Sequence, residues 1–189
     1  MPRVSVIIPA YNHARFITDA VDSVLRQSFR DFEIIVINDG SPDDTEAVLR
    51  PYIETGKIIY HIQRNAGVAA ARNTGIAMAN GDFVALLDDD DTWPEDKLEW
   101  QVRYLDETDA VLVGGACDTG KPTRRKTQLA EDSYQALATA DFFQGNPFGS
   151  PGQTLIRRSA LERAGGFDPE IWGVDDLDLW IRLSRVGGM

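Results

Sequence analysis

The sequence predicts an α/β protein: a doubly wound, mostly parallel central sheet flanked by helices, in a single domain. Two observations carry that prediction. Nearly continuous apolar, β-rich runs alternate with helical patterns four times in about the first ninety residues, the signature of crossover units feeding a parallel sheet. The 189 residues, 43% of them hydrophobic and 9% aromatic, suffice for one core of ordinary size and hardly for two.

The first run, Val4 to Ile8, lacks the alternation of a half-exposed strand and reads as buried on both faces. Pro9-Ala10-Tyr11-Asn12 ends it, with Asn12 placed to cap the next helix. There Phe16/Ile17, Ala20/Val21 and Val24/Leu25 recur at helical spacing. Phe32 to Ile37 is a second buried strand, closed by Asn38-Asp39-Gly40. Ser41 can cap a second helix, with Pro42 at its first position and Asp44 as the capping-box acid; that helix should reach about Ile53. A third strand, Lys57 to Ile62, precedes an Ala-rich helix from Gly67 to Ala79, with Asn80-Gly81 as its C-cap pair. The fourth strand, Asp82 to Leu87, runs straight into Asp88-Asp89-Asp90-Asp91. Beyond it the pattern predicts helices over Pro94 to Leu105 and Ser133 to Phe142, and strands over Ala110 to Ala116 and Thr154 to Ile156. A Gly/Pro-rich loop spans Gly145 to Gly152, a helical stretch through Leu161 and Ala164 ends near Gly165-Gly166, and a last helix covers Asp175 to Val186.

Charge and composition exclude several roles. Nineteen Lys+Arg against 30 Asp+Glu leave a net charge of −11, which opposes binding to nucleic acid or to anionic lipid. The single cysteine, Cys117, rules out an intrachain disulfide framework and a multi-cysteine zinc site. No segment has the roughly 18–20 apolar residues that span a bilayer, and the N-terminal apolar run is too short for a signal peptide. The expectation is a cytoplasmic protein, with association at the inner face of the cell membrane left open.

Ligands of open α/β sheets bind outside the carboxyl ends of the strands. Those ends here are Ala10-Tyr11-Asn12, Asp39 and Asp88 to Asp91. No Gly-rich dinucleotide fingerprint or phosphate-loop Lys-Ser/Thr is present, so glycine-cradled phosphates are not the mode of binding. Adjacent carboxylates about 5 Å apart repel by roughly 3 kcal/mol at an effective dielectric near 20. The four aspartates are therefore either a solvated acidic turn or, at this edge, ligands of a hard cation such as Mg2+ or Mn2+. Asp175-Asp176-Leu177-Asp178 has two readings as well. It is favourable charge at a helix N-terminus with an Asp178–Arg182 pair, or it holds a general base. Lys121, Arg124, Arg125 and Lys126 read as a solvated loop or as contacts to a phosphate-bearing acceptor. His13 and His61 are too isolated to make a catalytic pair, and Trp93, Trp100 and Trp180 fit core or pocket wall equally.

Five pieces in order resemble a known family. Val4-Ser-Val-Ile-Ile-Pro-Ala-Tyr-Asn12, Glu33-Ile-Ile-Val-Ile-Asn-Asp-Gly-Ser41, Asn65-Ala-Gly-Val-Ala-Ala-Ala-Arg-Asn-Thr-Gly75 and Gly81-Asp-Phe-Val-Ala-Leu-Leu-Asp-Asp-Asp-Asp91 are the first four. Gly165-Gly-Phe-Asp168 with Asp175-Asp-Leu-Asp-Leu-Trp-Ile-Arg182 is the fifth. Together they resemble glycosyltransferase family 2, inverting enzymes of the glycosyltransferase A fold, a nucleotide-diphospho-sugar transferase architecture related to the Rossmann fold.

The resemblance implies a nucleotide-sugar-binding half over residues 1–91 and an acceptor-side half over 92–189. It implies a donor that is a nucleotide diphosphate-sugar, usually UDP-linked, and a carbohydrate or lipid-linked acceptor. Pro9, Ala10, Tyr11, Asn12, Asp39, Arg72, Asp88 and Asp89 would line the nucleotide site, with Asp39 accepting from the base N–H and Arg72 flanking the same pocket. Asp88 and Asp90 would be the acids of the Asp-x-Asp motif, with Mn2+ or Mg2+ held chiefly by Asp90, and Asp176 the base. The sequence departs from the family in three places. Asp175 stands where Glu is frequent, Pro94 directly follows Trp93, and the chain stops at Gly187-Gly188-Met189, short of elements that generally cover the acceptor site. Two alternatives stand beside this reading. One is a sugar-nucleotide-binding fragment without catalysis. The other is a phosphohydrolase whose Asp88-Asp-Asp-Asp-Thr92 would supply an aspartyl nucleophile, with Lys97 or Lys126 and Asp175-Asp176 as its later motifs.

Overall fold

The computed structural model describes residues 1–115 and 135–189. Cys117, the Lys121–Lys126 stretch and the first two residues of the predicted Ser133–Phe142 helix lie outside them. Six strands, β1 (Val4–Ala10), β2 (Phe32–Asn38), β3 (Ile59–Ile62), β4 (Phe83–Leu86), β5 (Leu112–Gly114) and β6 (Thr154–Arg157), form one sheet in the order β3-β2-β1-β4-β6-β5. The first four in space run parallel, whereas β6 is antiparallel to both β4 and β5.

The nearly continuous apolar character of β1, broken by Ser5, follows from its central place. Val4, Val6 and Ile8 face a core built with Ile17, Val21 and Val24 of α1 (Ile17–Leu25), Leu49 of α2 (Thr45–Glu54), and Leu98, Val102 and Leu105 of α4 (Lys97–Glu107). Ile7, with Ile35, Ile37, Val84 and Leu86, faces the other core. That core takes Ala69 and Ala71 from α3 (Val68–Met78), Leu161 from α5 (Arg158–Ala164), and Leu179, Trp180 and Leu183 from α6 (Asp175–Ser184). Pro9 costs no ladder bond: the Ile7 carbonyl accepts from the Leu87 N–H at 3.0 Å, and two residues on, Pro9 points the same way, past the end of β4.

Several predicted termini move. Asn12 is not the cap of α1; it holds φ 61° and the helix begins at Ile17, after a turn in which the His13 carbonyl accepts from Phe16 and Ile17. Ser41 does not cap α2. Asp43 serves that start, accepting from the Thr45 N–H at 3.2 Å and the Thr45 hydroxyl at 2.6 Å, and from the Ala14 N–H at 2.8 Å. Gly81 is no left-handed C-cap. A Cβ there would lie 2.7 Å from the Ser5 nitrogen, so close passage over β1 is what demands glycine. The helix predicted from Pro94 starts at Lys97; of the strand predicted over Ala110 to Ala116, the described residues form β5 from Leu112 to Gly114, and Ala116 lies outside them. In place of the helix ending at Phe142, the described part holds a single 3-10 stretch, Thr139–Phe143. Among the described residues no helix is long and apolar enough to cross a membrane.

Candidate active site

The loops after β1, β2 and β4 meet at the carboxyl edge of the parallel strands, and each is fixed by its own polar residues. Asp39, 3% exposed, accepts from Gln63 Nε2 at 2.7 Å, the Ala66 N–H at 3.0 Å and the Gly67 N–H at 2.8 Å, while its own N–H donates to the Ala10 carbonyl at 2.9 Å. The Ser41 hydroxyl donates to the same Ala10 carbonyl at 3.3 Å and accepts from the Asn12 N–H at 3.2 Å. Ala10, Asn12 and Asp39 are thus one rim, with Tyr11 half-exposed above it and Pro9 buried beneath.

The acidic run divides its charges. Asp88 gives Oδ1 to Arg72 Nη2 at 2.7 Å and accepts at Oδ2 from the Ser150 hydroxyl at 3.3 Å. Asp89 turns inward, accepting from the Tyr11 N–H at 3.0 Å and pairing with His13 Nδ1 at 2.8 Å. Burial pushes the Asp89 carboxyl up despite those partners, and the hydrogen bond to Asp89 raises His13. Asp90 is exposed. Burial raises the Asp91 carboxyl, and the charges of Asp88 and Asp90 raise it further.

These residues fit a hard cation. Oxygen donors predominate, one ligand atom each from His13, Asp89 and Asp90 lies within 4.8 Å of the others, and the repulsion felt at Asp91 is what a divalent ion would relieve. His13 looks isolated in the sequence because its partner stands 76 positions away.

Arg72, buried on α3, does not end at Asp39. Its Nη1 donates to Asp175 Oδ2 at 2.9 Å, its Nη2 to Asp88, and its guanidinium lies 5.2 Å from the Phe167 ring centre. One side chain therefore joins the acidic run to the first residue of α6. The next residue, Asp176, accepts from Asn146 Nδ2 at 2.7 Å and from the Leu177 N–H at 2.7 Å. The Asp178–Arg182 pair forms at 2.6 Å as the spacing predicts. Trp180 belongs to one core, packed edge-on to Phe148; Trp93 is a buried wall of the other, its Nε1 donating to the Gly152 carbonyl at 2.8 Å, and Trp100 is partly buried against that second core. Ser150 and Asn146, in the Gly/Pro-rich loop, are the side chains that bring that loop to Asp88 and Asp176.

A match to the family described as Glycosyl transferase family 2 covers residues 5–165. The chain belongs to glycosyltransferase family 2. Among its relatives, an uncharacterized glycosyltransferase of Rickettsia prowazekii is 32% identical over 194 residues, covering 100% of this chain and 60% of that protein. A Bacillus subtilis protein named as a teichuronic acid biosynthesis glycosyltransferase, TuaG, is 43% identical over 108 residues, or 56% of this chain and 43% of that protein. Among solved structures, the mannosyltransferase PcManGT of Pyrobaculum calidifontis, in complex with GDP-Man and Mn2+, shares 25% identity. Its TM-score is 0.75, over 98% of this chain and 53% of that one. Staphylococcus aureus TarS 1-349 in complex with UDP, at 22% identity and TM-score 0.75 over 96% of this chain and 54% of that one, shows the shared glycosyltransferase A fold. The family 2 chain spans about a quarter to three fifths of the length of the curated relatives it matches. Membership sets the phosphohydrolase alternative aside, and at Lys97 the geometry agrees: it is buried, bonded to Gln101 Oε1 at 2.7 Å and the Thr154 carbonyl at 3.3 Å, with no carboxylate beside it among the described residues.

Proposed function

We propose that this chain carries the donor site and base of an inverting, metal-dependent hexosyltransferase that moves a sugar from a UDP-sugar to an acceptor hydroxyl. The observation that carries the reading is the convergence, at one sheet edge, of the Asp39 rim, the Asp88–Asp91 run and, through Arg72, the helix that begins at Asp175-Asp176. The GDP-Man and Mn2+ held by PcManGT and the UDP held by TarS support it.

In this reading the rim of Pro9, Ala10, Tyr11, Asn12 and Asp39 takes the base and ribose, and Asp39 keeps an acceptor for the base N–H. Asp88, with one oxygen committed to Arg72, is left for the ribose or a metal-bound water, and exposed Asp90 is the principal ligand of Mn2+ or Mg2+, with Asp89 and His13 behind it. When bound, the ion neutralises the diphosphate and stabilises charge developing on it as it leaves. Asp176 takes the proton of the acceptor hydroxyl as its oxygen attacks the anomeric carbon on the face opposite the leaving diphosphate. The C–O bond to the acceptor forms as the bond to the diphosphate breaks, giving inversion in one displacement. The acceptor is a carbohydrate or a lipid-linked glycan, consistent with a relative named for teichuronic acid biosynthesis. The reading makes the reaction a cytoplasmic one.

Calorimetric titration with UDP and GDP in the presence of Mn2+ tests the donor assignment. UDP is expected to bind more tightly than GDP, and Asp39→Ala to weaken UDP at least tenfold. Equal affinity for both nucleotides in wild type and variant would remove Asp39 from the base site.

A further inference from the structure

Lys97 is the buried titratable group for which the proposed chemistry has no use. It is the first residue of α4, its ammonium is fully enclosed, and among the described residues it forms no ion pair. An unpaired buried ammonium is costly, and apolar side chains of the same length would fill the space without that cost. What the ammonium touches gives it a task. It donates to Gln101 Oε1 at 2.7 Å and to the Thr154 carbonyl at 3.3 Å, and it lies 4.1 Å from the centre of the Trp93 ring.

Each of those partners holds the same loop. Gln101 Nε2 donates to the Gln153 carbonyl at 2.8 Å, and Trp93 Nε1 to the Gly152 carbonyl at 2.8 Å. Gln153 Oε1 accepts from the Gly149 N–H at 2.8 Å. The Ser150 hydroxyl accepts from the Gly152 N–H at 3.0 Å and donates to Asp88 Oδ2 at 3.3 Å. A chain of hydrogen bonds and one cation–π contact thus runs from Lys97 to the first acid of the Asp-x-Asp motif. It ties the segment after the acidic run, at Trp93, to residues 149–154, which sit across the edge from it.

We infer that Lys97 is a positioning residue of the donor site: with Gln101 and Trp93 it pins residues 149–154 so that Ser150 stays against Asp88. The inference rests on the proposed donor reading for its functional consequence, but not for the pin itself. The Gln153 carbonyl also accepts from the Gly115 N–H at 3.0 Å and Thr154 pairs with Gly114, so the sheet holds the C-terminal end of the segment. The ammonium, donating in two directions and sitting under the indole face, adds a hold on the side chains of Gln101 and Trp93 that reach toward it. Lys97 meets no substrate in this account; it acts through the loop.

Lys97→Met and Trp93→Phe test it, the second keeping the ring while removing the bond to Gly152. In hydrogen exchange followed by mass spectrometry, both variants are expected to speed exchange across 149–154 at least tenfold, with β1 and β2 unchanged and the melting temperature within about 5 °C of wild type. UDP affinity with Mn2+ should fall at least fivefold in Lys97→Met. In the double variant with Ser150→Ala, the two losses should be markedly less than additive, because both act at one contact. Slow exchange at 149–154 in both variants, or losses that simply add, would overturn the assignment. If wild type binds no nucleotide diphosphate, the donor reading fails and exchange at 149–154 alone decides the pin.

Discussion

Four adjacent carboxylates survive at the sheet edge because two of them are committed elsewhere. Arg72 takes Asp88, and His13 with the Tyr11 N–H takes Asp89, which leaves Asp90 and Asp91 to the solvent side. The roles of the acids near α6 separate in the same way. Asp175 is spent on Arg72, whereas Asp176 holds, among the described residues, an amide and its neighbour's N–H, which suits the base role proposed for it. Asp176→Asn should therefore lower turnover at least a hundredfold while UDP affinity stays within twofold, measured by steady-state kinetics beside calorimetry. Unchanged turnover would exclude Asp176 as the base. None of these pairings could be read from the sequence: Arg72 and Asp175 lie 103 positions apart, and His13 and Asp89 lie 76 apart.

At the scale of elements, strands were the legible part. β1, β2 and β4 are buried on both faces, so their composition alone marks them. Helix starts were less legible, because the residues that look like caps are used between loops. Asn12 and Ser41 bond each other's loop, and Asp43 reaches Ala14 as well as Thr45. Within α4, Lys97 has a consequence for stability. Burial pulls its pKa down to about 7, whereas in the unfolded chain it titrates near 10.4. Below pH 7 both states bind the proton and the full cost of burying the charge is present. Between about pH 7 and 10 the unfolded chain binds more protons, so this residue makes stability rise with pH, by up to about 1.4 kcal/mol per unit. Urea denaturation across that window should show the rise in wild type and a flatter curve in Lys97→Met. Parallel curves would mean that Lys97 keeps its ordinary affinity for the proton. Gly81→Ala belongs to this scale too: with the Ser5 backbone in the way, it is expected to cost about 2 kcal/mol or more in the same measurement.

Over the whole molecule, topology converts scattered residues into one site. Three strands that are neighbours in space, β2, β1 and β4, end at the same edge, so Asp39, Ala10 and Asp88 converge although they are far apart along the chain. The antiparallel β6 then returns the loop with Asn146 and Ser150 to that edge from the other half. In the proposed reading, the net charge of −11 is in part a local property, gathered around a position where an anionic donor would need a cation between itself and the protein. Thermal unfolding with UDP, in Mn2+ and in chelator, tests this most directly. UDP should raise the melting temperature by several degrees with Mn2+ and by much less with chelator, and Asp90→Asn should abolish the difference. A rise equal in both conditions, or none in either with any nucleotide diphosphate, would contradict the metal-bridged donor site.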